Sequence, residues 1–418
     1  MAVICLITPG QPSSNPRLVK EADALVEAGH LVHVVCAHWA KWADETDGEL
    51  LKSRAFACRY VGGKLGAGSL IYQWTRVRHR IGKELAKLRF GGAQSNWALC
   101  RVGPELQRAA GEIRADLYIA HNLGALPAAL HAARRRNAKL GFDAEDFHSG
   151  MSPLSEGASG DTLLTERVER SALPMCDYVT AASPLIAERY STKYDLAVPT
   201  TILNVFPLKL RPLSFVERRN RHALKLCWFS QTVGSGRGLE DVVRAMGRMP
   251  ELPTEIHIKG EWQVGFRREL DALARSVGLP ASCIQADGTA PPDDLVRWTS
   301  EWDIGIATEQ PVSLNRDICL TNKIFTYLLA GNAILATATA AQRRLLRDIP
   351  GAGYCYEAGD IDELARLLRV WHQRRASLNE ARRRAWDYGT AMFNWDREKL
   401  KFLSLVANTL SSPASSRP

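Results

Sequence analysis

The stretch "LTNKIFTYLLAGNAILA", residues 320–336, has the pattern that decides the fold class. Gly331 predicts the end of a helix, because glycine tolerates the left-handed backbone of a C-terminal cap. The apolar run after it predicts a buried strand. A helix that leads directly into a buried strand indicates an α/β protein. Before the glycine, four apolar residues at helical spacing predict the helix itself: Ile324, Phe325, Leu328 and Leu329.

The same alternation of strands and helices runs through the whole chain of 418 residues. Strands that are buried on both faces and joined by helices form parallel sheets. The length exceeds what one ordinary core holds. We therefore predict an α/β fold with two doubly wound domains that face each other across a cleft. The predicted strands are 2–8, 30–37, 115–122, 139–146, 177–183, 199–204, 224–230, 254–260, 282–288, 302–309, 332–337 and 352–357.

Composition marks the boundary between the two predicted domains. Residues 206–222 hold two prolines and a basic cluster without a clear period, which is typical of a linker. We predict an N-terminal domain over residues 1–205 and a C-terminal domain that begins at residue 223. The serine-rich residues 409–418 are predicted to be a disordered tail.

Composition also narrows the functional classes. Nine scattered cysteines without a C-x-x-C pair favour reduced thiols over disulfides or a zinc site. The start "MAVICLITPG" lacks the basic region of a signal peptide, and no apolar run approaches the roughly 18 residues of a membrane span. These features predict a cytoplasmic protein. The net charge of +9 favours an anionic partner, but without a recognised motif we do not predict nucleic-acid binding.

Residues 69–90, "SLIYQWTRVRHRIGKELAKLRF", have the pattern of a basic amphipathic helix. Apolar residues recur at helical spacing, and six arginines and lysines stand against Glu84 alone. Such a helix suits the anionic surface at the inner face of a membrane. A domain helix with its apolar stripe in the core has the same pattern, so both interpretations stay open.

The stretch "FSQTVGSGRGLEDVVRAM", residues 229–246, predicts a strand, a glycine-rich loop and a helix. Gly234, Gly236 and Gly238 let the backbone approach a ligand closely, and Arg237 adds a positive charge. The start of a helix binds anions, so the loop favours a diphosphate over a plain flexible turn. Leu239 stands at the third glycine position of a dinucleotide fingerprint, which disfavours a nicotinamide cofactor.

Polar residues follow other strand ends, where open α/β sheets bind ligands. His121 fits either a hydrogen-bonding group of the cleft or a satisfied loop histidine. In "FDAEDFHSG", residues 142–150, the carboxylates fit a polar cleft wall or a helix cap better than a metal site, which needs more converging oxygens. Lys323 lies in the first turn of its helix, where the dipole disfavours a cation, so it fits either a lysine compensated by a neighbouring anion or a surface lysine that reaches solvent.

Taken in order, these segments resemble the GT-B glycosyltransferases, specifically the retaining family-4-like group. The resemblance runs from "TPGQPSSNPRLVKEADALVEAGHLVHVV" at the start to "FNWDREKLKFLSLV" near the end. It includes "ADLYIAHNLGALPAAL", "RGLEDVVRAM" and "LTNKIFTYLLAGNAILAT". It implies two Rossmann-like domains, an acceptor domain over residues 1–205 and a donor domain over residues 223–384, and a final helix over residues 385–408 that crosses back. It also implies a nucleotide-diphosphate sugar as donor, with no cofactor and no metal.

The resemblance also implies roles for individual residues. Catalytic roles would fall to His121, Arg237 and Lys323, the two cations neutralising the departing diphosphate. The implied donor-binding residues are Gly234, Gly236, Gly288, Glu309, Asp317, Thr321, Asn322 and Thr326. The implied acceptor-binding residues are Gly10, Asn15, Arg17, Asn122, Glu145 and Asp146.

The chain departs from the family pattern at its paired glutamates. Thr326 stands where the second glutamate is expected and Ile318 where the first is expected, with Asp317 beside it. A threonine offers one hydroxyl but no bidentate charged grip on a ribose. We expect transfer of a sugar from a UDP- or GDP-sugar to a saccharide or lipid-linked acceptor in bacterial surface polysaccharide or glycolipid assembly. A non-catalytic nucleotide-sugar-binding relative and a UDP-sugar epimerase are the alternatives.

Overall fold

The first domain is built on a seven-stranded parallel sheet. The structure, a computed structural model, describes residues 1–38, 40–64, 69–87, 93–155, 159–218 and 222–413. The strand order is β3-β2-β1-β4-β5-β6-β7. The strands are β1 Val3–Ile7, β2 Leu31–Ala37, β3 Ala57–Val61, β4 Leu117–His121, β5 Lys139–Ala144, β6 Tyr178–Ala181 and β7 Thr200–Thr201.

Helices connect successive strands of this sheet. The central strands β1 and β4 are apolar and almost wholly buried, as in a sheet covered on both faces. The helix α1 begins at Pro16, where the missing proline N–H costs no hydrogen bond. The helices are α1 Pro16–Glu27, α2 Lys41–Leu51, α3 Leu70–Lys87, α4 Ala93–Leu99, α5 Gly103–Glu112, α6 Leu126–Arg136, α7 Gly160–Ala172 and α8 Pro184–Tyr194.

The second domain is built on a six-stranded parallel sheet of order β10-β9-β8-β11-β12-β13. Its strands are β8 Leu224–Val233, β9 Thr254–Trp262, β10 Ile284–Ala286, β11 Ile304–Ala307, β12 Ala333–Thr337 and β13 Gly353–Tyr356. Its helices are α9 Leu239–Gly247, α10 Phe266–Ser276, α11 Leu295–Thr299, α12 Leu314–Ile318, α13 Asn322–Ala330, α14 Ala340–Asp348, α15 Ile361–Gln373 and α16 Arg375–Ala391, followed by α17 Trp395–Ser411.

The two sheets confirm the predicted fold class of two Rossmann-like α/β domains. The chain divides into two compact units, the first comprising Met1–Ile202 with Ser313–Asn315 and the chain from Lys399 onwards. The second comprises Leu203–Val312 and Arg316–Glu398. The helix α17 continues to Ser411, so the first residues of the predicted tail are helical. Residues 414–418 lie outside the described part of the chain.

Of the thirteen strands in the described part of the chain, twelve coincide with predicted strands, and β3 is the exception. Its residues Ala57–Val61 lie at the edge of the first sheet and are mostly half-buried or exposed. An edge strand needs no continuous apolar run, so β3 lacks the pattern that predicts its neighbours. Among the described helices, none combines the length and the apolar character required to cross a bilayer.

The stretch that predicts the fold class forms α13, a glycine cap and β12. Gly331 adopts a φ of 74°, the left-handed conformation that favours glycine. Helix α16 packs closely against α13 at Gly389. A Cβ atom on Gly389 would lie 2.6 Å from the carbonyl of Leu328. The close packing of α13 against α16 therefore requires glycine at position 389. The side chains on α13 are positioned by this packing.

We expect Gly389→Ala to destabilise the protein by about 2 kcal/mol, because the added methyl group meets backbone that cannot rotate away. Gly111→Ala is the matched control, since a Cβ atom there meets nothing within 4 Å beyond its own helix. The control should be neutral or gain up to about 1 kcal/mol from its lower unfolded-state entropy. Urea unfolding measures both free energies. Equal effects of the two substitutions would contradict the packing described.

Candidate functional site

Strands β8 and β11 are neighbours in the second sheet, and polar residues follow both of their carboxyl ends. The glycine-rich loop follows β8 and leads into α9, which begins at Leu239. Thr308 and Glu309 follow β11. This edge of a parallel sheet is where α/β proteins bind ligands.

The glycine-rich loop is held against the residue that follows β11. The hydroxyl of Thr308 donates a hydrogen bond of 2.7 Å to the carbonyl oxygen of Arg237. Gly238 has a φ of 76°, and a Cβ atom there would lie 2.7 Å from the Cβ of Thr308. Both the backbone conformation and the close approach therefore require glycine at this position.

A buried carboxylate holds the cations of this edge together. One oxygen of Glu309, Oε1, accepts a hydrogen bond of 2.6 Å from Nζ of Lys323, and the other, Oε2, accepts one of 2.9 Å from Arg316. The ammonium group of Lys323 also lies 5.5 Å from the centre of the Trp228 ring. We call Glu309, Lys323, Arg316 and Arg237 the Glu309 cluster. Glu309 is thus the neighbouring anion that compensates Lys323.

The electrostatics of the Glu309 cluster favour an ionised carboxylate. Burial by itself would raise the pKa of Glu309, but Lys323, followed by Arg316 and Arg237, lowers this pKa to about 2. Three cationic groups thus act on one carboxylate. A surplus of positive charge beside a glycine-rich loop suits an anionic ligand.

Thr326 lies on the same helix as Lys323, one turn further along. Its side chain is fully buried, and its hydroxyl donates a hydrogen bond of 2.8 Å to the carbonyl oxygen of Asn322. Thr321 stands before the helix, with its hydroxyl 3.3 Å from Oε1 of Glu309. The structure brings Thr321 and Lys323 to Glu309, whereas the hydroxyl of Thr326 bonds within its own helix. The donor contacts predicted for Thr321, Asn322 and Thr326 stay predictions.

The other residues predicted to bind the donor lie around the same sheet. A Cβ atom on Gly234 would overlap the side chain of Gln263, and Gly236 has a φ of 69° with open space beside it. Gly288 follows β10, two strands away from β8, and its carbonyl accepts a hydrogen bond from Gly260. Asp317 accepts a hydrogen bond of 2.9 Å from the backbone of Ala340, at the start of α14.

A second group of charges is buried at the carboxyl ends of β4 and β5 in the first domain. Arg17 of α1 donates hydrogen bonds of 2.5 and 2.7 Å to the two oxygens of Asp143. His121 is fully buried, with Nε2 3.3 Å from Glu21 and Nδ1 3.3 Å from Asp143. We call Arg17, Glu21, His121 and Asp143 the His121 cluster. Its members are all less than 4% exposed.

The carboxylates set the protonation of His121. Burial opposes a charge on the ring, but Glu21, followed by Asp143 and Glu145, raises the pKa of His121 well above its usual range. Burial likewise opposes ionisation of Asp143, yet Arg17 and His121 hold the pKa of Asp143 well below its usual range. Burial raises the pKa of Glu21. These shifts favour a protonated ring of His121, and a protonated ring has no lone pair to accept a proton.

The three side chains Glu21, His121 and Asp143 also offer potential metal ligands within 4.8 Å of one another. Arg17, however, already occupies both oxygens of Asp143. A divalent cation there would face the guanidinium group at close range. We therefore interpret the group as a network of ion pairs.

Apart from Arg17, the residues predicted to bind the acceptor lie after the carboxyl ends of β1, β4 and β5 or, for Asn15, at the start of α1. Asn15 caps α1 through Leu18 and donates a hydrogen bond of 2.6 Å to Glu145. Asn122 has a φ of 69° and accepts a hydrogen bond from the backbone of Gly124. The carbonyl of Gly10 accepts a hydrogen bond from Ala37, and Asp146 accepts one from Asn315.

Three residues of these clusters, Glu21, Asp143 and Arg316, were not among the predicted site residues, although Asp143 lies in a stretch predicted to be a polar cleft wall or a helix cap. Glu21 lies on the buried face of α1, where a carboxylate signals a partner in the core. Arg316 lies seven residues after its partner Glu309, in a segment without a regular pattern. Contact between a sugar and His121 stays a prediction. Because the ring is fully enclosed in the described structure, that contact requires a movement of its neighbours.

Comparison with known proteins finds a match for the first domain. Residues 14–207 match the family model described as glycosyl transferase 4-like domain. The first domain is therefore similar to this domain. Among curated protein sequences none matches the chain significantly. The family match includes all four residues of the His121 cluster, and it confirms the resemblance predicted from the sequence.

Solved structures show that the whole chain has the GT-B fold of these glycosyltransferases. HepE from Anabaena in complex with UDP superposes with a TM-score of 0.69 at 14% identity, covering 98% of this chain and 100% of that one. Sucrose-phosphate synthase from Thermosynechococcus elongatus gives 0.68 at 15% identity, covering 98% and 99%. TarM from S. aureus, in complex with fondaparinux, alpha-GlcNAc-glycerol and UDP, gives 0.68 at 11% identity, covering 99% and 100%.

We expect His121 to remain protonated across pH 6–8, where an ordinary histidine titrates near pH 6.5. Its ion pairs then stabilise the folded state fully below about pH 6.5, and this contribution is lost as the pH rises through the raised pKa. Carbon NMR of histidine-labelled protein measures the titration. His121→Gln identifies the signal by its loss, and His131→Gln, at an exposed position, is the matched control. A His121 signal that titrates at or below pH 6.5 would contradict the network.

Proposed function

We propose that this protein transfers a hexosyl group from a nucleoside diphosphate sugar to a saccharide or lipid-linked acceptor. The observation that carries the proposal is the Glu309 cluster, where cations surround one carboxylate beside the glycine-rich loop. UDP is bound in the structurally similar HepE and TarM, which supports UDP as the nucleotide over GDP.

In the proposed reaction the Glu309 cluster stabilises the leaving group. Negative charge develops on the diphosphate as the sugar departs, and Lys323, Arg237 and Arg316 are the cations that oppose it. The unpaired N–H groups at the start of α9 add hydrogen-bond donors. Since protein cations supply this charge, we propose a transfer that needs no metal. Retention of anomeric configuration is proposed from the family resemblance.

In the structure, the carboxylate of Glu309 pairs with Lys323 and Arg316, two of the cations that we propose to bind the diphosphate. This pairing offsets the cost of a buried ammonium group at Lys323. A diphosphate that binds there must compete with Glu309 for Lys323 and Arg316. The side chain of Glu309 then becomes available for hydroxyl groups of the donor sugar, the role predicted for it from the sequence.

The acceptor is proposed to bind at the first domain, near the residues around the His121 cluster. Because a protonated His121 has no free lone pair, we assign it no role as a general base. A saccharide or lipid-linked acceptor fits a cytoplasmic enzyme of bacterial surface polysaccharide or glycolipid assembly. We place it at the inner face of the cell membrane.

Lys323→Met should raise the dissociation constant of UDP at least tenfold, because a charge-assisted hydrogen bond to phosphate is lost. The double variant Lys323→Met with Glu309→Gln should bind UDP as weakly as Lys323→Met. This result would attribute the weaker binding to the missing cation and not to a Glu309 carboxylate left without its partner. Lys209→Met, at an exposed position of the second domain, is the control. Isothermal titration calorimetry measures binding. Unchanged UDP affinity in Lys323→Met would contradict the assigned site.

Turnover is measured with a panel of UDP- and GDP-sugars, with and without EDTA and saccharide acceptors. Transfer or donor hydrolysis that depends on Lys323 supports the proposal. Nucleotide binding without any turnover would favour a non-catalytic nucleotide-sugar-binding relative. Conversion of a UDP-sugar to its epimer without an acceptor, seen by NMR, would identify an epimerase.

Thr326→Val tests what the threonine does in place of a glutamate. Because the hydroxyl bonds to Asn322 within a fully buried side chain, we expect the UDP dissociation constant to change less than about twofold. The free energy of unfolding should fall by about 1 kcal/mol for the lost hydrogen bond. Thr326→Ser, which keeps the hydroxyl, is the matched variant for binding. A tenfold weaker affinity in Thr326→Val alone would instead assign the hydroxyl to the ribose.

A further inference from the structure

Helix α3, Leu70–Lys87, is attached to the first domain through its polar side. Arg78 is 7% exposed and donates hydrogen bonds of 2.8 Å to Glu105 and 3.0 Å to the carbonyl of Arg101. Thr75 is fully buried and accepts a hydrogen bond of 2.7 Å from the side chain of Arg101. An arginine and a threonine therefore occupy the inward face of this amphipathic helix.

Close packing against α4 fixes the rotation of α3 about its axis. A Cβ atom on Gly82 would lie 2.7 Å from the Cβ of Trp97 and 2.8 Å from the backbone nitrogen of Ala98. The Nδ1 atom of His79 lies 2.7 Å from the carbonyl oxygen of Trp97. The helix cannot turn its other face inward without losing these contacts.

The outward face of α3 carries an apolar stripe at the spacing of one helix face. A globular protein normally directs such a stripe into its core. In the described residues 69–87 the stripe faces solvent, so the interpretation of α3 as a helix with its apolar stripe in the core is wrong. Residues 88–90 of the predicted helix lie outside the described part of the chain. The exposed fractions are 85% for Leu70, 58% for Trp74, 48% for Val77 and 46% for Ile81.

Basic side chains run alongside the apolar stripe. Arg76 and Arg80 are exposed and stand one turn apart. Lys83 continues their row, with 41% of its side chain exposed and an exposed ion pair of 3.0 Å to Asp161. Within α3, Glu84 is the one acidic residue against five arginines and lysines. The outward surface of α3 is thus apolar along one line and positive along the next.

We propose that α3 docks this protein on the surface of an anionic lipid bilayer. Leu70, Trp74, Val77 and Ile81 enter the boundary between headgroups and acyl chains, and Arg76 and Arg80 contact lipid phosphates. A helix of this length lies in the plane of the bilayer over roughly 27 Å. The tryptophan suits this boundary because its ring is apolar and its N–H is polar. The inference stands on the orientation of α3 and does not depend on the transfer reaction.

A second copy of the chain is a less suitable occupant of the same surface. Two copies that joined their apolar stripes would also bring their rows of arginine close together, and like charges repel. A bilayer that contains anionic lipid offers acyl chains to the apolar stripe and phosphates to the row of arginines. Binding to a bilayer requires no shaped pocket, which suits an exposed helix face.

Vesicle flotation of the full chain tests the proposal, with vesicles of phosphatidylcholine alone and with 30% phosphatidylglycerol. We expect flotation with the anionic vesicles, weakened by salt. The double variant Trp74→Ser with Ile81→Ser should bind at least tenfold more weakly, because buried apolar area is lost. The double variant Arg76→Gln with Arg80→Gln should weaken binding about tenfold or more, since each basic residue near an anionic surface contributes.

The matched control for charge is Arg268→Gln with Arg275→Gln, which removes two exposed arginines from α10. Val264→Ser with Leu213→Ser removes two fully exposed apolar side chains from the second domain. Both controls should float like the parent chain. UDP calorimetry and thermal unfolding should give parent-like values for the α3 variants, since these residues are exposed and outside the clusters.

Three outcomes would overturn the proposal. One is no flotation of the parent chain with anionic vesicles. Another is flotation that neither α3 variant reduces. The last is a dimer in analytical ultracentrifugation that Trp74→Ser with Ile81→Ser converts to monomers, without any lipid binding, which would assign the stripe to contact between copies. Failure of the transfer assays leaves the vesicle result unaffected.

Discussion

The compensation of buried charge determines how both candidate sites are built. Removing an ionised group from water costs several kcal/mol unless an opposite charge lies close by. In the first domain Arg17 and His121 face Glu21 and Asp143, and in the second domain Lys323 faces Glu309. Each pairing joins residues of different helices, strands or loops, so the ion pairs fix the elements that carry them. Parallel strands make this possible because their carboxyl ends all meet at one edge of the sheet.

Both clusters compensate buried charge, but their charged groups differ in exposure to solvent. In the His121 cluster the carboxylates favour a protonated ring, and all members are almost wholly buried. In the Glu309 cluster, Arg316 keeps 37% of its side chain exposed. Fully buried ion pairs are not accessible to another ion, whereas a cation with a partly exposed side chain can bind an anion from solution. This difference is why we place diphosphate chemistry at the second cluster and a structural role at the first.

The sequence predicts the sheets well because a strand buried on both faces has a local apolar signature. It predicts β3 poorly because an edge strand lacks that signature. Candidate site residues at strand ends, among them His121 and Glu309, were predicted for the same local reason. What the ring of His121 contacts depends on Glu21, which lies 100 residues earlier on another element. Periodicity also gives the amphipathic character of α3 but not its orientation, which Glu105 decides by offering Arg78 an internal partner.

The surroundings of Thr326 explain how a threonine can stand where the family pattern has a glutamate. A glutamate there would have to place a second carboxylate in a fully buried position, next to helix backbone that Thr326 now satisfies. The carboxylate that balances Lys323 comes instead from Glu309, which follows the neighbouring strand β11. One buried carboxylate against the three cations of the Glu309 cluster leaves a net positive charge, and a second carboxylate would reduce that charge. The loss of the family's glutamate is therefore compatible with a site that still attracts a diphosphate, and the part of donor recognition that it does affect is the grip on the ribose.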